Sequence, residues 1–355
     1  MEADAPLFSL VMCLFDVESY VGEAVSALRA QTFEDWELII VDDAAHDRSV
    51  LRALRAAKGD GRIRIVHNNA NLGLAASRNR GLSLARGRYV AFPDAEDRPE
   101  PDYLAVAAEA VAAENPDIVV EGVIEDYFNH RGNVAFSEEL KAPAGVYEGD
   151  DVDRLMLPLG VGRLIDFVFT KFFRRSMVGD TRFEVGPRHY SEDFFFVLEM
   201  MERARKVVVV DRSAYRFEKH IRKERNLTFT EGTFLESERR VAALQLHQQE
   251  HGLDCPDSRR ALGAVYGRAI MDEAARITEQ MSDVPKADRV AWMEQVKEGP
   301  LYQELILQGG EPEGFIDSHI HRALLSDDPK RALRLGHLIG YLKSFGPESW
   351  ARTQP

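Results

Sequence analysis

Residues 7–15 (Leu-Phe-Ser-Leu-Val-Met-Cys-Leu-Phe) run almost without polar interruption, the pattern of a strand buried on both faces of a parallel sheet. Val21, Val25 and Leu28 then fall at helical spacing. After Gln31-Thr32-Phe33, a second apolar run from Trp36 to Val41 closes on Asp42-Asp43. Strand, helix and strand in that order predict a βαβ unit. The alternation continues with a helix over about 48–58, a strand at 63–67, a helix over about 74–86 and a strand at 88–92, which predicts a mostly parallel sheet. In open sheets of this kind, ligands bind beyond the carboxyl ends of the strands. Here those ends carry Phe15-Asp16, Asp42-Asp43, Asn71 and Asp94 to Asp97.

From Glu121 to about Arg163 the pattern is irregular and reads as loop-rich, before Leu164 to Phe173 and the run Val207 to Val210 restore order. Past residue 231 Arg, Glu, Ala and Leu dominate, and breaks at Gly252 to Pro256, Gly299-Pro300 and Gly309 to Gly314 divide a helical region into segments. At 355 residues the chain exceeds one ordinary hydrophobic core. Two domains are expected, 1–230 (with subregions of about 7–120 and 121–230) and a helical 231–355.

Composition narrows the function classes. With 45% hydrophobic and 29% charged residues the chain is expected to fold, and a net charge of -14 disfavours nucleic acid as a partner. The longest apolar runs are strand-sized, short of the ~20 residues that span a bilayer, so no transmembrane segment is expected. The opening Met-Glu-Ala-Asp-Ala-Pro lacks a basic stretch followed by an apolar one, which makes the cytoplasm the expected location. Cys13 and Cys255 read as two unrelated thiols.

Four stretches carry candidate chemistry. Asp94-Ala95-Glu96-Asp97 puts three carboxylates in four residues after an apolar strand, which suits a hard divalent ion held jointly with substrate phosphates. An acidic loop ahead of the helix near Pro101 would look the same. Asp43 can accept hydrogen bonds from a base or ribose, or cap a helix, for which Asp47 is also available. Arg78, early in the helix after Asn71-Leu72-Gly73, can reach a diphosphate or stand solvated at the surface. Glu192-Asp193 precedes Phe194-Phe195-Phe196, an apolar setting that raises a carboxylate toward a useful base, although such pairs also open ordinary helices. His247 with His251, and His319 with His321, have no carboxylates nearby in sequence that suggest a metal site.

In order and spacing these stretches, with Phe15 to Tyr20, Gln31-Thr32-Phe33, Ala76-Ser77-Arg78-Asn79 and Thr170-Lys171-Phe172-Phe173-Arg174-Arg175, resemble the family-2 glycosyltransferases over about residues 7–230. The resemblance implies a GT-A type α/β nucleotide-binding domain with a mostly parallel mixed sheet, followed here by a helical C-terminal domain. It implies an inverting transfer from a nucleoside diphosphate sugar, UDP-linked first among the donors, to an unidentified acceptor such as a glycan, small metabolite, peptide or lipid-linked molecule. By the same resemblance Phe15, Glu18, Asp43, Asn71, Arg78 and Asp94 would line the nucleotide site. Asp94, Glu96 and Asp97 would hold Mn²⁺ or Mg²⁺, with His220, in the basic stretch from Tyr215 to Asn226, as a further ligand. Asp193 would be the base and Glu192 its neighbour in the catalytic pair. The segment 231–355 would serve assembly, including homo-oligomerisation, or acceptor binding.

The chain departs from the family pattern at Cys13 for proline, Phe15 for tyrosine, Asp16 for asparagine, Ala44-Ala45 for Gly-Ser and Glu96 for aspartate. These departures keep open a catalytically degenerate nucleotide-sugar-binding or scaffolding homologue. A nucleotide-dependent dehydrogenase needs a glycine-rich turn after the first strand, and residues 15–20 contain no glycine.

Overall fold

The computed structural model describes residues 5–128, 133–186, 191–220, 231–278 and 282–345. In its main sheet, β1 (Phe8–Leu14) runs parallel to both β2 (Trp36–Asp42) and β4 (Tyr89–Ala91), and β3 (Ile63–His67) extends the parallel half beyond β2. β6 (Ile118–Val120) and β11 (Lys206–Val209) form a second parallel pair. β10 (Lys171–Arg174) joins the halves antiparallel to β4 and β6, and β9 (Gly145–Glu148) closes the edge antiparallel to β11. The eight strands therefore lie in the order β3-β2-β1-β4-β10-β6-β11-β9. β1 is the point from which the parallel order departs in two directions, so the carboxyl ends of β1, β2 and β4 open onto one crevice.

Helices α1 (Val21–Arg29), α2 (Ser49–Ala57), α3 (Leu74–Leu84) and α4 (Tyr103–Glu114) follow the strands of this half. α3 lies unusually close to the sheet because residue 81 is glycine: a Cβ there would sit 2.2 Å from Val11 Cγ1 and 3.2 Å from Val41 Cγ2. That close approach brings the residues just before Gly81, Arg78 among them, into the crevice.

The described residues of 121–163, a stretch expected to be irregular, form regular elements instead. They hold β7 (Val123–Phe128), β8 (Val134–Leu140), β9 and α5 (Asp150–Val161). β8 and β9 alternate between half-buried and exposed positions, so neither shows the continuous apolar run that betrays a central strand. In α5 the buried Val152, Leu155, Met156 and Leu159 keep helical spacing behind an acidic first turn, and only Pro158 interrupts the pattern. A second, smaller sheet has the order β5 (Arg98–Pro99), β12 (Tyr215–His220), β7, β8, with Tyr215 opposite Pro99 and Arg216 opposite Arg98. After α6 (Arg175–Val178) comes α7 (Glu192–Arg203).

The chain divides into two compact units, residues 1–126 with 137–219, and residues 127–136 with 220–355. Within the second, helices span Glu231–Glu250, Pro256–Thr278, Lys286–Glu298, Phe315–Leu324 and Pro329–Phe345; the intervals 251–255 and 299–314 hold the expected glycine-bearing breaks, while 279–285 and 325–328 contain no glycine. Pro256–Thr278 and Pro329–Phe345 pack backbone-close at Gly336, where a Cβ would fall 2.5 Å from that of Ala274. Among the described residues no helix is long and apolar enough to cross a membrane.

Candidate active site

The crevice is built from two groups of side chains. The first occupies the loops after β1, β2 and β3. Asp43, almost fully buried, accepts the backbone N–H groups of Leu72 (2.8 Å) and Gly73 (2.8 Å) and the Asn68 side-chain amide (2.6 Å). Of a carboxylate's roughly four lone-pair sites, about one is left for a ligand. Asp47, just before the cap residue of α2, accepts the Ser49 N–H at 2.9 Å and its hydroxyl at 2.5 Å, so Asp43 and Asp47 divide structural work between different loops. Glu18 and Asp47 are cross-linked through backbone: Glu18 N–H donates to Asp47 (2.9 Å) and the Glu18 carboxylate accepts Arg48 N–H (3.1 Å). Asn71 is exposed and accepts Gly73 N–H at 3.0 Å in a local turn. The ring of Phe15 lies 41% exposed at the mouth of β1.

The second group lies deeper. Arg78, 2% exposed, donates through Nη2 to Asp94 (3.2 Å) and through Nη1 to Asp193, residues 16 and 115 positions away in sequence. Burial works against its charge, yet the two carboxylates hold the guanidinium above its ordinary value. Burial pushes the Asp193 carboxyl up to about 7, with Arg78 opposing the shift and Asp94 and Glu192 adding to it. Asp94 is raised by burial against the pull of Arg78, and Asp97 is raised well above the carboxylate range by burial and then by Asp94. Asp97 Oδ2 is buried and receives no hydrogen bond among the described residues. Glu96, between them, is exposed. Cys13, beneath this group, has its thiol pushed up to about 12 by burial, which leaves it protonated and inert.

Packing explains the convergence of distant positions. Phe194, Phe196, Val197, Met200 and Met201 form the buried face of α7. Phe196 stacks on Phe183 (4.0 Å) and meets Phe92 edge-on (5.7 Å), two residues before Asp94, which anchors Glu192-Asp193 beside the acidic loop. Asn79 and the Phe183 backbone exchange two hydrogen bonds of 2.9 and 2.8 Å, tying α3 to the same cluster. From the far side, β12 runs along the loop: Tyr215 hydroxyl accepts Asp94 N–H (2.9 Å), and Glu218 N–H approaches Asp97 Oδ1 (3.4 Å). Asn79 and Tyr215 stand in stretches the sequence singled out, but their own contacts were not legible there, since their partners lie more than a hundred positions away. The backbone of His220 ends β12, and its side chain lies outside the described residues. His247 and His251 stack on one another at 4.3 Å along the helix Glu231–Glu250.

Residues 9–175 match the model of the family described as glycosyl transferase family 2. EpsH of Bacillus subtilis, named as a glycosyltransferase, is 31% identical over 221 residues, 61% of this chain and 62% of EpsH. EpsJ of the same organism, also named as a glycosyltransferase, is 30% identical over 212 residues, 59% of this chain and 60% of EpsJ. The match thus spans less than two thirds of either relative. Among solved structures, S. aureus TarS 1-349 shares the fold with a TM-score of 0.61 at 17% identity, over 93% of this chain and 90% of that one.

Proposed function

We propose that this chain, whose residues 9–175 match the model of glycosyl transferase family 2, moves a sugar from a nucleoside diphosphate sugar to an acceptor with inversion at the anomeric carbon. UDP is the first donor class to test. TarS 1-349 has been crystallised with UDP and with UDP-GlcNAc, and the shared fold carries that donor class here as a proposal. The observation that carries the reading is the Arg78 bridge, which sets the carboxylate opening α7 and the acidic loop after β4 against one guanidinium.

In the proposed reaction the acceptor oxygen bonds to the sugar carbon while the bond from that carbon to the diphosphate oxygen breaks. The diphosphate leaves with the electron pair, and the acceptor proton passes to Asp193. A carboxyl pushed by burial up to about 7 suits that role, because it takes a proton more readily than an ordinary aspartate. Arg78 holds the carboxylate in place and keeps its second oxygen available for the acceptor.

The deep group also fits a hard cation. Asp94, Asp97 and Asp193 set three carboxyl groups against the single charge of Arg78, burial raises all three, and Asp97 Oδ2 has no donor among the described residues. Asp94 and Asp97 would hold Mg²⁺ or Mn²⁺, with Glu96 beside them and His220 as a further proposed ligand. When bound, the ion would offset charge on the departing diphosphate.

A binding-only reading draws on one contact, since Arg78 already occupies an oxygen of Asp193. Asp193→Asn separates the two. We expect a folded protein that binds UDP as the parent does and transfers sugar slower by a factor of about 10² to 10⁴, the usual loss for a general base. Near-parental transfer by that variant would remove Asp193 from the role. Absence of any donor turnover in the parent with Mn²⁺ would favour the binding-only protein.

A further inference from the structure

Beyond the deep acids, the outer end of the crevice has an aromatic corner of which the resemblance accounts for Phe15 but not for His46. Phe15 follows β1 and His46 lies in the loop after β2, so parallel pairing of the two strands brings both loops to the same end of the sheet. Their rings meet edge to face, centroids 5.8 Å apart and planes at 82°. Both are exposed, and the imidazole more so, at 78%.

The corner is held by its backbone. Asp16 Oδ1 accepts the His46 N–H at 2.7 Å, and Asp16 Oδ2 lies 3.6 Å from Nδ1 of the imidazole. Asp16 and Ala44, flanking the corner on the two loops, both adopt left-handed backbone, with φ of +51° and +60°. Non-glycine residues take that conformation at a cost, and such strain concentrates where a ligand contact requires it.

We propose that His46 forms the second wall of the nucleobase pocket, recognising the edge of a base whose face lies on Phe15. A planar ring laid parallel to Phe15 would stand perpendicular to the imidazole, and a rim carbonyl or N–H would pair with a ring nitrogen along the line where the two planes meet. Asp16 lies on the Nδ1 side, which leaves Nε2 as the nitrogen for the base. His46 is then a specificity-determining residue: Phe15 accepts the face of any base, and His46 distinguishes the edges. The inference rests on the nucleotide-binding reading given above.

Calorimetric titration tests it with UDP, GDP, CDP and ADP, and with inorganic pyrophosphate, each in Mn²⁺, on the parent, His46→Ala, His46→Gln and Phe15→Ala. The side chain of His46 is exposed enough for truncation to leave folding intact. The expected result is that His46→Ala weakens the preferred nucleotide about tenfold and flattens the preference among the four, while pyrophosphate binding is unchanged. Phe15→Ala should weaken all four together, and His46→Gln should restore part of the preference. If the parent binds a nucleotide and His46→Ala binds it equally well with the same preference, the inference is overturned and the donor site stands. It is overturned equally if His46→Ala loses nucleotide and pyrophosphate alike. If the parent binds none of the four, the donor-site reading fails and takes the inference with it.

Discussion

Single residues in this chain carry opposed roles according to what surrounds their charge. Lys171 is wholly buried, and its ammonium donates to Leu164 O (2.5 Å), Phe167 O (2.7 Å) and Thr170 Oγ1 (3.0 Å). The three donors of an ammonium are thereby used on neutral oxygens, and burial still lowers its pKa to about 7 from an ordinary 10.5, against the pull of Asp166 and Asp193. Between those two values the unfolded chain holds a proton that the folded chain has released. Stability from this group therefore rises with pH from about 7 toward 10.5, and below 7 the full cost of a buried charge remains. Melting temperatures of the parent and Lys171→Met across that window should converge or cross as pH rises. Two parallel curves would mean that the ammonium is not destabilised by its surroundings.

At the scale of elements, the site depends on how near α3 stands to the sheet. Alanine at position 81 would meet Val11 Cγ1 and Val41 Cγ2 from the sheet beneath. Overpacking of this kind costs about 1–3 kcal/mol, while alanine gains at most about 1 kcal/mol of helix propensity over glycine. Gly81→Ala should therefore lower stability by about 1–2 kcal/mol. Adding Val11→Ala, which removes the nearest clashing methyl, should return part of the loss relative to Val11→Ala alone. Chemical denaturation of the four proteins measures the coupling, and a Gly81→Ala variant as stable as the parent would mean that α3 shifts without cost. The first four strands and first four helices were legible because their apolar runs are continuous or strictly periodic. β8 and β9 were not, since half-exposed strands at a sheet edge alternate weakly and resemble loop.

Over the whole molecule, the candidate donor residues from Phe15 to Asp193, together with Tyr215, belong to the unit of residues 1–126 and 137–219. The helical remainder, residues 231–355, we assign to assembly or acceptor binding. A fragment ending near residue 230 that remains folded is expected to keep the parental affinity for UDP and to lose acceptor-dependent transfer or oligomeric state. Circular dichroism establishes folding and calorimetry the affinity. A folded fragment with lost UDP affinity would place donor contacts in the helical region. The net charge of -14 belongs to this scale too, since it disfavours polyanions while leaving small phosphates to local groups such as Arg78.

What this sequence determined by itself was local. Apolar runs located the parallel strands, and the strand ends placed Phe15, Asp43 and Asp94 on one side of the sheet, because strand periodicity and parallel order depend on neighbours in sequence. Acid density at Asp94 to Asp97, and the Glu192-Asp193 pair ahead of three phenylalanines, pointed to chemistry for the same reason. Tertiary structure alone decided how those groups are shared. It joined Asp94 to Asp193 through Arg78, engaged both oxygens of Asp43 in the loop before α3, laid β12 against the acidic loop and set His46 edge-on to Phe15. Each of these contacts joins strand ends, loops or helix starts from 16 to 121 positions apart. The charge and reactivity of a buried group follow from such partners, which only packing brings together.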